Sequence, residues 1–334
     1  MKCSSPVSYI CSMTVQEIAI RQMNEWGGKG RPFFFLFDFD LKKPVVLPLE
    51  EVADAGILFS LPGYSNLEPE ADVRVTLEDD GYSLSSYTKQ FKKVVDRIRA
   101  GDSFLVNLTC QTHVRLNLPF DQLYKVARAK YKLLFKDQFL VFSPETFVQI
   151  HDGIISSCPM KGTLDASIPN ALQLLTDNPK EKAEHSTIVD LIRNDLSIVA
   201  TDVQVKRFRY IEEISAGKRR LLQASSEITG KLPSDYASSI GDILSALLPA
   251  GSVTGAPKKR TVEIIRETET YKRGYYTGIF GIFDGRNLDS AVLIRFLENT
   301  PTGVVYKSGG GITAQSDLMQ EFDEMIQKIY VPLH

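Results

Sequence analysis

Residues Gly278–Leu297 read GIFGIFDGRNLDSAVLIRFL. Two apolar runs, Gly278–Phe283 and Ala291–Leu297, lie on either side of Asp284-Gly285, a dipeptide that turns tightly because both residues tolerate positive φ. β-Branched and aromatic side chains dominate the runs, so they read as the two strands of a hairpin. Val304–Lys307 reads as a further strand that ends in Gly309-Gly310-Gly311, and a last helix starts near Ser316 with Phe322, Met325 and Ile326 inward. Strands that are neighbours in sequence and joined by tight turns pair antiparallel, and the helices must then cover the sheets from outside. The fold class expected is α+β: two large antiparallel sheets packed face to face and flanked by helices, not a doubly wound sheet.

The rest of the chain agrees with that expectation. Phe33–Phe39 and Val45–Leu49 read as strands around a turn at Leu41–Pro44, and the polar stretch Glu68–Ser86 separates a short leading portion, residues 1–80, from the main body, residues 81–334. Tyr87, Phe91, Val94, Val95 and Ile98 share one face of a helix over Ser86–Ala100, which Gly101 stops. Ser103–Thr112 and Phe139–Ile150 read as strands with a helix, Phe120–Lys132, between them. Asn178-Pro179 is a cap followed by a residue that needs no amide partner, so a helix begins there with Ile188, Leu191, Ile192 and Leu196 as its apolar stripe. Further helices cover Asp235–Leu248 and the segment after Pro257.

Composition excludes several function classes. The 334 residues carry 39 Lys and Arg against 41 Asp and Glu, a net charge of -2, with no basic excess for a nucleic-acid backbone. No apolar run spans a bilayer, and Met1–Met13 lacks the apolar core of a signal peptide, so the expected location is the cytoplasm. Cys3, Cys11, Cys110 and Cys158 do not fall at metal-ligand spacing, and His113, His151, His185 and His334 are scattered.

Glu181 with Glu184, and Glu321 with Glu324, are pairs at i, i+3, which puts each pair on one helical face. Like charges so close call for a cation or counter-charge, and four converging carboxylates would suit Mg, a hard ion that takes oxygen ligands. Surface helices also carry such glutamates routinely. Lys161 lies between Pro159-Met160 and Gly162-Thr163; burial or a nearby cation would lower its pKa from about 10.4 and free its amine to act as a nucleophile. Gly251–Lys258 precedes a helix, so its amides suit an anion. Gly309-Gly310-Gly311 lets a ligand approach the backbone, and Arg295 is able to clamp a carboxylate. Two carboxylate-ready sites beside a cation site point to a small dianionic substrate.

Over about residues 86–332 the sequence resembles the chorismate-utilising enzymes, which include anthranilate synthase component I, aminodeoxychorismate synthase component I and the isochorismate and salicylate synthases. The motifs, in the family's order, are Ile98-x-x-Gly101-Asp102-Ser103-Phe104-x-Val106-Asn107-Leu108, Ser143-Pro144-Glu145, Pro159–Thr163, Glu184-His185-x-x-x-Val189–Asp195, Pro249–Lys258 and the glycine-rich C-terminal segment. The resemblance implies Mg held by Glu184 and Glu324 with Glu181 and Glu321 as their partners. It implies that Gly162, Thr163, Gly309, Gly310 and Gly311 cradle the ring carboxylate, that Arg295 and Tyr276 hold the enolpyruvyl carboxylate, and that Lys328 faces the substrate. Lys161, Glu145 and Thr163 are the expected catalytic residues. It also implies a cleft between the sheets as the site.

Within the family, lysine at position 161 is similar to the aminodeoxychorismate synthases, whereas anthranilate and isochorismate synthases usually have alanine. The implied reaction is amination of chorismate to 4-amino-4-deoxychorismate; anthranilate synthesis and non-catalytic chorismate binding are the alternatives. Phe104–Leu108 carries no lysine to activate water. Gln223 stands where the family often has a histidine, Phe296 stands where it has threonine, and no regulatory tryptophan-site motif is seen. No Gly-x-Cys-x-Gly glutaminase nucleophile occurs, so a separate glutamine amidotransferase subunit is the expected ammonia source.

Overall fold

The computed structural model describes residues 13–67, 73–216 and 219–333, with side chains for all of these except 161, 163, 180, 214–216, 219 and 221. Most of Met1–Met13, Glu68–Asp72 of the polar stretch, Gly217-Lys218 and His334 therefore lie outside the described residues. The elements run α1 (Val15–Gly28), β1 (Phe33–Phe37), β2 (Val45–Pro48), β3 (Ile57–Leu61), β4 (Tyr64–Ser65), β5 (Leu77–Asp79), α2 (Leu84–Arg99), β6 (Leu105–Leu116), α3 (Phe120–Val126), β7 (Tyr131–Phe135), β8 (Phe139–Ser143), β9 (Thr146–His151), β10 (Ile154–Ser157) and β11 (Met160–Asp165). They continue with α4 (Ala171–Asp177), α5 (Pro179–Leu196), β12 (Thr201–Ala216), β13 (Arg219–Lys231), α6 (Ile240–Leu247), β14 (Gly255–Ala256), α7 (Lys258–Thr268), β15 (Ile279–Phe283), β16 (Leu288–Val292), β17 (Phe296–Thr300), β18 (Gly303–Ile312) and α8 (Leu318–Gln327).

Two sheets result. The first has the order β11-β13-β10-β9-β16-β15-β1-β2, with β12 on β13; the second has β14-β6-β18-β17-β8-β7-β3-β4, with β5 on β6. Their ladders are antiparallel, as the turn-linked strands require. β1 shows how the layers arise. All five of its residues are buried, and alternation sends Phe34 and Leu36 to one side and Phe33, Phe35 and Phe37 to the other. The first set packs with Phe59, Leu133, Val141, Phe280 and Phe296 between the sheets. The second packs under α1, α5 and α6 with Met23, Ile188, Ile192 and Leu244. Tyr87, Phe91 and Val94 of α2, with Ile264 of α7 and Met325 of α8, cover the outside of the second sheet at Val106, Leu108 and Ile312. The architecture is thus helices, sheet, sheet, helices. Strands β1 to β4 of the leading portion are built into both sheets.

The helix ends follow their sequence signals. Asn178 caps α5 by accepting from the Glu181 amide at 3.2 Å, with Pro179 at its start. Gly101 follows α2 with φ of 84°, a conformation open to glycine at little cost.

Three expectations are corrected. Phe139–Ile150 is not one strand: β8 belongs to the second sheet and β9 to the first, and the chain crosses between them at Pro144-Glu145. Ala291–Leu297 likewise divides, and the partner of Ile279–Phe283 in the hairpin is Leu288–Val292; the chain crosses back through Leu293–Arg295, with Arg295 at φ of 55°. Proline has no amide for a ladder, which favours a break at position 144. The two crossings bond to each other, Val292 N donating to Glu145 O at 3.1 Å and Phe142 N to Arg295 O at 3.2 Å. Finally, the helix expected over Phe120–Lys132 stops at Val126. Lys132 instead sits in β7 and donates its Nζ to the carbonyls of Tyr124 at 2.9 Å and Ala127 at 3.1 Å, closing the helix C-terminus. No helix among the described residues is long and apolar enough to cross a membrane.

Candidate active site

The glycine run does not follow a strand but lies inside one. β18 carries it against β6, with Gly309 opposite Thr109, Gly310 opposite Leu108 and Gly311 opposite Asn107. Gly310 faces α8: a methyl group on it would lie 3.5 Å from Glu321 Oε2, 3.7 Å from Lys328 Nζ and 3.8 Å from Glu324 Oε1. Glu321, Glu324 and Lys328 therefore converge over one glycine. Lys328 pairs with Glu324 at 2.6 Å and donates to the Gly309 carbonyl at 2.8 Å. Glu321 is only 4% exposed, and a buried carboxylate needs the positive charge that this cluster supplies.

Gly162 does for α5 what Gly310 does for α8. It sits on β11 at φ of 83°, and a methyl there would lie 3.0 Å from Glu181 Oε2 and 3.0 Å from Leu175 Cδ1. β11 pairs with β13 irregularly between Met160 and Thr163, the interval that holds Lys161. Gln223 is opposite Thr163 on one side and Glu212 on the other. Glu184 is half-buried on α5, next to His185, a fully buried residue whose Nε2 lies 2.6 Å from Ser226 Oγ.

The donor set suits a hard cation: four carboxylates, two per helix, with Glu181 beside Gly162 and with Glu321 and Glu324 beside Gly310. Among the described residues, however, no three carboxylates, histidines or cysteines are drawn into a single metal-holding group. Glu181 with Glu184 and Glu321 with Glu324 stand as two pairs.

Arg295, on the second crossing, has its guanidinium carbon 5.2 Å from the centre of the Tyr330 ring. Its Nε is buried with no hydrogen-bond partner among the described residues, and the same holds for Ser308 Oγ. Such a donor is costly unless a ligand meets it. Tyr276 and Tyr306 are nearby: burial pushes both phenols well above their ordinary pKa, and guanidiniums pull them part of the way back, Arg273 and then Arg295 for Tyr276 and Arg295 for Tyr306, so both remain neutral donors. Tyr306 donates its hydroxyl to the Tyr330 carbonyl at 3.0 Å.

Glu145, on the first crossing, accepts a short hydrogen bond at Oε1 from Ser252 Oγ. In the segment 251–258, expected to offer its amides to an anion, two of those amides are used within the protein, Val253 N donating to Ala250 O at 3.3 Å and Thr254 N to Gly251 O at 3.1 Å, and Gly255-Ala256 pairs with β6. Lys258 pairs with Asp195 at 3.0 Å and donates to the Leu247 carbonyl at 2.8 Å.

Against this geometry, a family model described as chorismate binding enzyme matches residues 18–334. The chain belongs to the chorismate binding enzyme family. It is 48% identical over 316 residues to a Haemophilus influenzae protein named uncharacterized PabA-like protein, covering 94% of this chain and 96% of that one. It is 34% identical over 268 residues to aminodeoxychorismate synthase component 1 of Klebsiella aerogenes, covering 75% of this chain but 58% of that one. Anthranilate synthase component I from Streptococcus pneumoniae superposes with a TM-score of 0.65 at 25% identity, covering 88% of this chain and 70% of that one. As a member of the chorismate binding enzymes, the chain brings together Gly309, Gly310, Glu321, Glu324 and Lys328 at one place, Gly162 and Glu181 at a second, and Arg295 and Tyr276 at a third. Lys161 and Thr163 are placed by their backbone on β11. The sequence reasoning did not single out Ser252, Ser308, Tyr306 or Tyr330. Ser252 lay within a quoted motif, but its partner Glu145 is 107 residues away.

Proposed function

We propose that this chain is the chorismate-aminating component of an aminodeoxychorismate synthase, replacing the C4 hydroxyl of chorismate with an amino group derived from ammonia. The observation that carries this reading is Lys161 on β11, directly before the glycine that faces Glu181. The amine of Lys161, once neutral, attacks C2 of the ring while the C4 hydroxyl departs as water; ammonia then adds at C4 as the bond to lysine breaks. Two moderate displacements replace one difficult one. Glu145, on the crossing beside that of Arg295, is suited to take the proton that the incoming nitrogen sheds.

Arg295 holds the enolpyruvyl carboxylate. Its unpartnered Nε and the neutral Tyr276 phenol supply donors there, and a charge-assisted pair orients the ring more firmly than a neutral one. The glycine strand lets the ring carboxylate approach the backbone beside Lys328. Glu181, Glu184, Glu321 and Glu324 would hold Mg, which when bound supplies positive charge against the ring carboxylate and the departing oxygen. β6 carries Leu105, Asn107 and no lysine along Phe104–Leu108, so nothing in that segment favours water over ammonia. Ammonia comes from a glutamine amidotransferase partner, or from solution in vitro, and the setting is the cytoplasm.

The test is product analysis. Purified protein with chorismate, Mg and ammonia yields 4-amino-4-deoxychorismate and releases no pyruvate. Release of pyruvate with anthranilate would replace this reading by anthranilate synthesis, and binding of chorismate without turnover would reduce it to a binding subunit.

A further inference from the structure

Beneath α5, where the first crossing meets residues 250–252, the structure leaves a small, partly open cavity lined by Glu145, Ser157, Ile192, Asp195, Leu247 and Ser252 among others. It offers about 20 Å³ to a water-sized molecule, room for one. Its walls are mainly apolar, with a few polar groups. Ser252 donates to Glu145 Oε1, and the Asp195 carboxylate is already engaged by Lys258 at 3.0 Å. The backbone comes close here because residue 251 is glycine: a methyl there would lie 2.8 Å from Asp195 Oδ2 and 3.0 Å from Leu191 Cγ.

We infer that this cavity holds the ammonia molecule used in the amination, and that Ser252 is a positioning residue that fixes the Glu145 carboxylate against it. The inference rests on the proposed reaction and deepens it. Ammonia is neutral and the size of water, so it enters a mainly apolar cavity at small cost, whereas ammonium must leave its hydration shell. The carboxylate on the wall accepts one of its N–H groups. As the C4–N bond forms, the ring double bond shifts and the bond from C2 to the Lys161 nitrogen breaks. Glu145 accepts the proton shed by the new amino group, and that proton is handed on to the lysine nitrogen, which keeps the electron pair of the broken bond, so the amine and the carboxylate are both regenerated and no net proton is consumed.

The experiment compares wild type, Ser252→Ala and Ser252→Thr with ammonium chloride as the nitrogen source, across pH, with melting temperatures alongside. Ser252→Ala is expected to raise the KM for ammonia about tenfold, the size of one lost hydrogen bond to a charged group, and to leave the KM for chorismate unchanged. The acid limb of its pH profile moves to higher pH, because the charged carboxylate has lost a donor. Ser252→Thr keeps the hydroxyl and restores both. If wild type aminates and Ser252→Ala shows an unchanged ammonia KM and pH limb, or raises both KM values together, the inference fails while the reaction stands. If wild type forms no aminated product, both fail.

Discussion

Replacing Gly162 by alanine separates a backbone cost from a site cost, and Gly101→Ala is its control. Both glycines hold nearly the same left-handed conformation, φ of 83° and 84°. An alanine at such a φ costs about 1–2 kcal/mol, which lowers the melting temperature of a chain of this size by about 1–3 °C. The surroundings differ. Around Gly101 nothing lies within 4 Å of an added methyl, whereas at Gly162 the methyl would lie 3.0 Å from both Glu181 Oε2 and Leu175 Cδ1. Those atoms must give way by a few tenths of an ångström, and Glu181 is a candidate metal carboxylate. Thermal unfolding with and without Mg, and amination rates, are measured on both variants. Both should lose a similar small amount of stability; Gly101→Ala should keep full activity, and Gly162→Ala should lose activity about tenfold or more with a weaker response to Mg. Equal activity in the two variants would refute the reasoning that Gly162 matters through Glu181.

Arg295→Lys keeps the charge but not the planar donor set, so the KM for chorismate should rise about 10- to 100-fold, measured by steady-state kinetics, with folding intact by circular dichroism. Addition of Mg should raise the melting temperature of wild type, and Glu321→Gln with Glu324→Gln should abolish that rise even without substrate. Lys258→Met breaks a pair whose side chains are 20% and 14% exposed and should cost about 3 kcal/mol. Burial pushes the Asp195 carboxyl above the ordinary aspartate pKa and Lys258 draws it back. A raised carboxyl pKa contributes stability that is full below the unfolded value and is lost as pH rises through the folded one. Denaturant unfolding should therefore show Lys258→Met losing more stability than wild type as pH rises above the ordinary aspartate pKa of about 4.

The helices were legible where local chemistry decides them. α2 shows its stripe from Tyr87 to Ile98 and its Gly101 stop, and α5 its Asn178-Pro179 start. The sheet crossings were not. β8 and most of β9 are buried, so no alternation tells the two strands apart, and the short polar stretch Ser143-Pro144-Glu145-Thr146 between them is the one local mark of the point where the chain leaves one sheet for the other. β12 and β13 escaped notice because charged side chains interrupt their apolar positions, and the two are held chiefly by each other. In the site, the spacing of Glu321, Glu324 and Lys328 already put them on one helical face. What sequence spacing lacks is the third dimension: it gave no sign that Ser252 reaches Glu145, that Lys258 reaches Asp195, or that Glu181 lies against Gly162 while Glu321 and Glu324 lie against Gly310.

The claim at the centre is that Lys161 commits this fold to amination at C4. Its most direct test is mass-spectrometric product analysis of wild type and Lys161→Ala, each with chorismate, Mg and ammonia. The account predicts 4-amino-4-deoxychorismate without pyruvate from wild type, and from the variant either loss of that product or a switch to anthranilate. Undiminished 4-amino-4-deoxychorismate from the variant, or pyruvate and anthranilate from wild type, would contradict it.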